Sequence, residues 1–161
     1  MGTSSLLPPL RVLMVSSMYP PDHEGGAELS AQAFTDGLRA RGYDVQVLTR
    51  RWRPVFQGVK EEHPHVHRIL EGARLFQTMP NWLAQKWDTV MAYKRATTIA
   101  IPNLPRVQEF LKGRDFDVVF VFESQGLSPL VVEPLVARGV PVLWQISSHV
   151  LMKTLAPPRL L

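Results

Sequence analysis

Five short apolar runs, each closed by polar or turn-forming residues, set the limits on how this chain can fold. The first, Arg11-Val12-Leu13-Met14-Val15-Ser16-Ser17, is almost continuous in its apolar character. A strand with one wet face alternates apolar and polar residues, whereas an unbroken run marks a strand covered on both faces, as in a parallel sheet. Asp44-Val45-Gln46-Val47-Leu48-Thr49, Val66-His67-Arg68-Ile69-Leu70, Asp117-Val118-Val119-Phe120-Val121-Phe122 and Val140-Pro141-Val142-Leu143-Trp144-Gln145-Ile146 read as the other four strands.

Helical stretches lie between them. From Gly26 to Arg41, Ala27, Ala31, Phe34 and Leu38 recur at helical spacing, and Gly42 after Arg39 and Arg41 is a C-terminal stop. Arg50 to Pro64 reads as loop. Leu83, Trp87, Val90, Met91 and Thr98 suggest an amphipathic helix to about Ile101, stopped by Pro102, with a further helix over Arg106 to Lys112. Leu127 to Arg138 is predicted helical, with Pro129 tolerated in a first turn, Pro134 inside or splitting the helix, and Gly139 ending it.

Strands and helices alternating at these lengths predict a Rossmann-like, doubly wound α/β domain with a mostly parallel sheet. Right-handed crossovers would bring Ser17, Thr49, Glu123 and Ser147 to one edge, the carboxyl ends of the strands, where ligands bind in such sheets. With 161 residues, 45% hydrophobic and 20% charged, the chain suits one globular domain with its own core. Met1 to Pro9 reads as a disordered leader without the basic start and apolar run of a signal peptide, leaving 10–161 as the domain. No run of about 18 apolar residues occurs, so a cytoplasmic location is expected, at most peripheral to a membrane. Cysteine is absent, which excludes disulfides, thiolate-held zinc and thiol catalysis.

The loop Tyr19-Pro20-Pro21-Asp22-His23-Glu24-Gly25-Gly26-Ala27-Glu28 carries the densest chemical signal. Gly25 and Gly26 at a helix start let a ligand approach the backbone, and free N–H groups with the helix dipole favour an anion there, typically phosphate. Glu28, in the first turn, can reach back to loop N–H groups. A flexible loop before a well-capped helix is the plain alternative. The nicotinamide fingerprint fails, because only Gly25-Gly26 is present and the second strand ends in Thr49-Arg50 rather than an acid. No Gly-Lys-Ser or Gly-Lys-Thr of a P-loop occurs.

Taken together, Ser17-Met18-Tyr19-Pro20-Pro21, Gly25-Gly26-Ala27-Glu28, Leu38-Arg39-Ala40-Arg41-Gly42-Tyr43 and Asp44 to Thr49 resemble the opening of the family 4 retaining glycosyltransferases. Phe116 to Val121 and Arg138-Gly139-Val140-Pro141-Val142 are similar to later segments of that family; Trp52 to Pro105 falls where its members vary with the acceptor. The resemblance implies the N-terminal, acceptor-side half of a GT-B fold, in which two Rossmann-like domains face each other across a cleft. It implies that Gly25 and Gly26 offer N–H groups to the diphosphate of a nucleotide-sugar, and that the sugar passes to a hydroxyl of a lipid, oligosaccharide or small molecule. Chemistry would rest on positioning and on stabilising the departing diphosphate, with no cofactor and no metal.

Tyr19, Glu123, Ser124, Ser147 and His149 are candidates for lining the cleft. Family members usually place a histidine near position 147, where this chain has Ser147-Ser148 followed by His149, which is either shifted, replaced by the serines or a surface residue. The chain ends at Leu161, so the donor-binding C-terminal domain is expected to be missing and the fragment inactive alone. A non-catalytic Rossmann-like module for a phosphorylated ligand or partner is the alternative.

Other features weigh less. Arg50-Arg51-Trp52-Arg53 offers charge and an aromatic plane to an anionic acceptor or headgroup, though a solvated loop accounts for it more simply. Phe76, Met79, Trp82, Trp87 and Tyr93 with Lys86, Lys94 and Arg95 would suit a peripheral membrane contact or, more simply, a helix packed on the sheet. His63, His65 and His67 alternate as metal ligands on a strand face do, but with only Glu61 and Glu62 nearby they fall short of a metal site. Net charge is +4, without a helix-turn-helix, RNA-binding signature or dense basic stripe, so no nucleic acid is expected.

Overall fold

The computed structural model describes residues 8–22, 25–51, 63–72, 101–123 and 127–145. Most of the leader, the expected helix from Leu83, the Phe76–Arg95 surface, Glu61, Glu62, Trp52, Arg53, Ser124, Ser147, Ser148 and His149 lie outside the described residues.

Five strands form the sheet: β1 (Arg11–Ser16), β2 (Asp44–Arg50), β3 (Val66–Leu70), β4 (Val118–Glu123) and β5 (Val142–Trp144). Their order is β3-β2-β1-β4-β5 and all neighbours are parallel. This is the doubly wound arrangement the apolar runs predict, with its switch point between β1 and β4. The β1–β4 and β2–β3 ladders slip near their carboxyl ends, between Val15 and Ser16 and between Thr49 and Arg50, while the β1–β2 ladder is regular. Such irregularities re-aim the residues that follow them.

β1 is central and covered on both sides. Leu13 and Val15 join Leu48, Val107, Phe110 and Leu135 on one face, while Met14 joins Tyr19, Ala31, Val47 and Phe122 on the other. Helix α1 (Gly26–Ala40) lies on the second face, against β1, β2 and β4. Helix α2 (Ile101–Phe110) and the short α3 (Glu133–Val136) pack together on the first. No helix among the described residues is long and apolar enough to cross a membrane.

Three local expectations are corrected. The buried stripe of α1 is Glu28, Ala31 and Thr35, and Phe34 is 39% exposed. Large strand side chains already fill the space below, so small residues make the close approach, and Phe34 stacks out over Phe120 with ring centroids 4.9 Å apart. The helix expected from Arg106 already includes Ile101 and Pro102 and carries Pro105 in its interior, since the fixed φ of proline is helical and only its missing N–H is lost. Between Leu127 and Arg138 a 3-10 turn, Pro129–Val132, precedes α3, so the helix changes type just before Pro134; Ser128 caps its start through Leu130 N–H. Gly42 and Gly139 hold φ of 88° and 76°, which suits glycine at the stops of α1 and α3.

Asn103 fastens α2 to the end of β3. It is 1% exposed; its Nδ2 donates to the Glu71 carbonyl and its Oδ1 accepts from the Glu71 N–H, both at 2.8 Å. Asn103→Leu should lower stability by about 2 kcal/mol, because it leaves two backbone groups unpaired. Urea unfolding of the variant measures this, and an unmoved midpoint would show that the clip is dispensable.

His67 of β3 sits with Nε2 2.9 Å from Gln46 Oε1 and its ring centroid 4.7 Å from that of Phe110. Burial, reinforced by the Arg114 charge, lowers its pKa; burial followed by the charges of Arg39 and His63 lowers that of His65. Both are therefore neutral when folded at pH values where the unfolded chain already takes up protons. Stability should hold above about pH 7 and fall as pH drops below the ordinary histidine value of about 6.5. The double variant His65→Gln, His67→Gln should flatten that slope in thermal melts, and a midpoint that rises on acidification contradicts it.

Candidate functional site

The carboxyl edge of the sheet is built outward from β1. Ser16 and Ser17 are buried at its end, and the Ser16 hydroxyl donates to the Met18 carbonyl at 2.6 Å, turning the chain out of the ladder. Tyr19 follows, 1% exposed, packed beneath α1 with Met14, Ala31, Val47 and Phe122. Burial raises its pKa, opposed by a hydrogen bond with Thr35 and by the charges of Arg39 and Arg68. Of the two sides of a cleft residue, Tyr19 thus contributes backbone to the edge and a side chain to the core.

A cis Pro20–Pro21 peptide comes next, and the Asp22 N–H closes a turn onto the Tyr19 carbonyl at 3.1 Å. Gly25 is the N-cap of α1, extended at φ −159° and ψ −161°. Its N–H donates to Glu28 Oε2 at 3.1 Å, the carboxylate half of a capping box. Glu28 is 5% exposed, so its charge is held close under the loop. Gly25 and Gly26 themselves are exposed. A Cβ at Gly26 would meet nothing within 4 Å, and one at Gly25 would lie 3.9 Å from Glu28 Oε2, an ordinary contact.

Two arginines reach this segment from neighbouring strands. Arg50, the last residue of β2, donates from Nε to the Ser17 carbonyl at 2.6 Å. Arg68 of β3 donates from Nη2 to the carbonyls of Tyr19 at 3.1 Å and Pro20 at 2.7 Å. Neither role was visible in the sequence, where Arg50 belongs to a basic stretch and Arg68 interrupts an apolar strand. That interruption was the one usable signal, since a cation inside a buried run must find partners. Arg51 instead pairs with Glu71 at 3.8 Å, and Arg106 approaches the same carboxylate oxygen at 3.3 Å.

Glu123 ends β4 and is the register partner of Ser16, so its backbone stands across the switch point from the loop. The structure therefore brings Tyr19, Gly25, Gly26, Glu28 and the Glu123 backbone to one edge. His63 and His65 stand before β3, at the opposite edge, with ring centroids 5.4 Å apart. Among the described residues no three His, Asp or Glu side chains are placed to share a metal ion.

Comparison with known proteins follows the same lines. No curated protein matches the sequence. Among solved structures, the C-terminal domain of a hydrogenase from Pyrococcus furiosus aligns at 20% identity and a TM-score of 0.46, covering 91% of this chain and 98% of that one, a likeness that informs neither fold nor function. The model of the glycosyl transferase 4-like domain matches residues 25–160, from the N-cap of α1 through β5 and beyond. With a parallel sheet wound in the order this fold demands and most of its length inside that match, the chain belongs to the glycosyl transferase 4-like domain family, as an N-terminal half of the GT-B type.

Proposed function

We propose that this domain serves a retaining glycosyltransferase whose donor is a nucleotide-sugar, with the Gly26 N–H, and that of Gly25 in exchange for its bond to Glu28 Oε2, receiving the donor diphosphate. The observation that carries this reading is that the fold itself does not require either glycine. Gly25 has extended backbone that any residue adopts, and neither position lacks room for a Cβ. What a side chain would obstruct is the approach of a ligand to N–H groups at the positive end of a 15-residue helix.

Acceptance of the leaving diphosphate by these donors would stabilise charge as it develops, which is the larger part of what a transferase of this kind needs from protein groups. In this reading the acceptor is a hydroxyl of a lipid, oligosaccharide or small molecule, held on this domain. A second Rossmann-like domain supplies the rest of the donor site across the switch-point crevice.

Gly26→Val should leave the unfolding midpoint within about 2 °C of the parent, since valine is the better helix former and has space here. It should weaken binding of uridine or guanosine diphosphate by at least about tenfold, as loss of a charge-assisted donor does. Titration followed by amide shifts of Gly25, Gly26 and Ala27 measures it, and unchanged affinity removes the diphosphate from this loop. A mass-spectrometric screen of nucleotide-sugars against the complete gene product tests the transferase reading; neither hydrolysis nor transfer with any donor would overturn it.

A further inference from the structure

We infer that Arg50, Arg68 and Gly72 act as positioning residues that impose the path of residues 17–22, where the chain leaves β1 toward α1, and thereby bias the placement of the Gly25 and Gly26 amides; this rests on the diphosphate reading above. The need for such residues comes from the segment's own chemistry. Once the chain leaves β1, the carbonyls of Ser17, Tyr19 and Pro20 lose their ladder partners, and Pro20 and Pro21 have no N–H to offer in exchange. The segment is rich in acceptors and poor in donors. Guanidinium is the complementary group, since it only donates and its bonds are charge-assisted.

Both arginines come from outside the loop and meet it at three acceptors within four residues, Ser17 at 2.6 Å from Arg50, and Tyr19 and Pro20 at 3.1 and 2.7 Å from one nitrogen of Arg68. The Tyr19 carbonyl also takes the Asp22 N–H, so the Arg68 contact and the turn leading to Gly25 share one atom. Gly72 completes the arrangement. A Cβ there would overlap Cδ of Arg50, with Cγ at 2.9 Å and Nε at 3.0 Å, so glycine at this position is what lets Arg50 lie along its path to Ser17. The path of the segment is thus set by residues 50, 68 and 72, all outside it.

The test uses the 161-residue chain and four variants: Arg68→Met, which keeps bulk but no donor; Arg68→Lys, which keeps a shorter cationic donor; Arg50→Met; and Gly72→Ala. Amide hydrogen exchange of Asp22 relative to Leu13 in β1 reports on the loop apart from the core. Arg68→Met should speed Asp22 exchange about tenfold with Leu13 unchanged, and should weaken binding of inorganic pyrophosphate to a similar degree well below the unfolding midpoint. Arg68→Lys should recover part of both losses. Gly72→Ala should match Arg50→Met, and the two combined should do no more than either alone, as expected of residues acting through one contact.

A lowered melting point with unchanged Asp22 exchange and unchanged pyrophosphate affinity would overturn the inference, leaving the arginines as ordinary stabilising residues. Additive effects of Gly72→Ala and Arg50→Met would remove Gly72 from it. Should the parent chain bind no pyrophosphate, the diphosphate reading fails by itself, and the exchange ratio alone decides whether the arginines shape the loop.

Discussion

Everything in this fold follows from the need to cover β1 on both faces. Leu13, Met14 and Val15 are fully buried and point alternately to opposite sides of the sheet. One helix cannot do that, so the chain must lay α1 on one side and bring α2 and α3 to the other. To change sides it must reverse its winding direction, so β4 returns to the free flank of β1 instead of extending beyond β3. That reversal opens the crevice beside the β1–α1 loop. A hydrophobic requirement in the middle of the sheet therefore determines where a polar ligand can be met.

The central strands were legible because double-sided burial writes itself as apolar runs; β3, only partly buried, still begins and ends where its run does, and the others differ by a residue or two except β5. Among the described residues of the last run, Val142–Trp144 are strand. Helix faces were less legible. Of the expected α1 stripe Ala27, Ala31, Phe34 and Leu38, Ala31 is buried, but packing over a sheet already occupied by Met14, Tyr19 and Phe122 turns Phe34 out and brings in Thr35. Proline does not bar a helix here, because Pro102 and Pro105 keep a helical φ and α2 carries both.

Of the proposed site, the glycine loop was a candidate from residue types, and its setting among the resembling segments from Ser17 to Thr49 is what singled it out. What could not be found was its support. Arg50 and Arg68 are separated from the loop by about 30 to 50 positions and meet it only because β1, β2 and β3 are neighbours in register. Linear spacing carries no trace of contacts to backbone carbonyls, which every residue possesses. Glu28 was easier, since a capping carboxylate acts within one helical turn.

The acceptance of those guanidiniums by main-chain oxygen has a consequence for how this domain can diversify. Exposed positions of the segment, such as Pro21, can be exchanged without deleting the atoms that anchor it, because the anchors are main-chain oxygens common to all residues. The instructions for the loop's path and the surface it presents are therefore held in separate parts of the gene and can drift independently. Homologues with altered loop composition should retain a long cation at the positions of Arg50 and Arg68, and a chain that has lost those cations should show compensation elsewhere in the same edge. Engineering a new specificity here amounts to repainting a frame whose joints lie elsewhere.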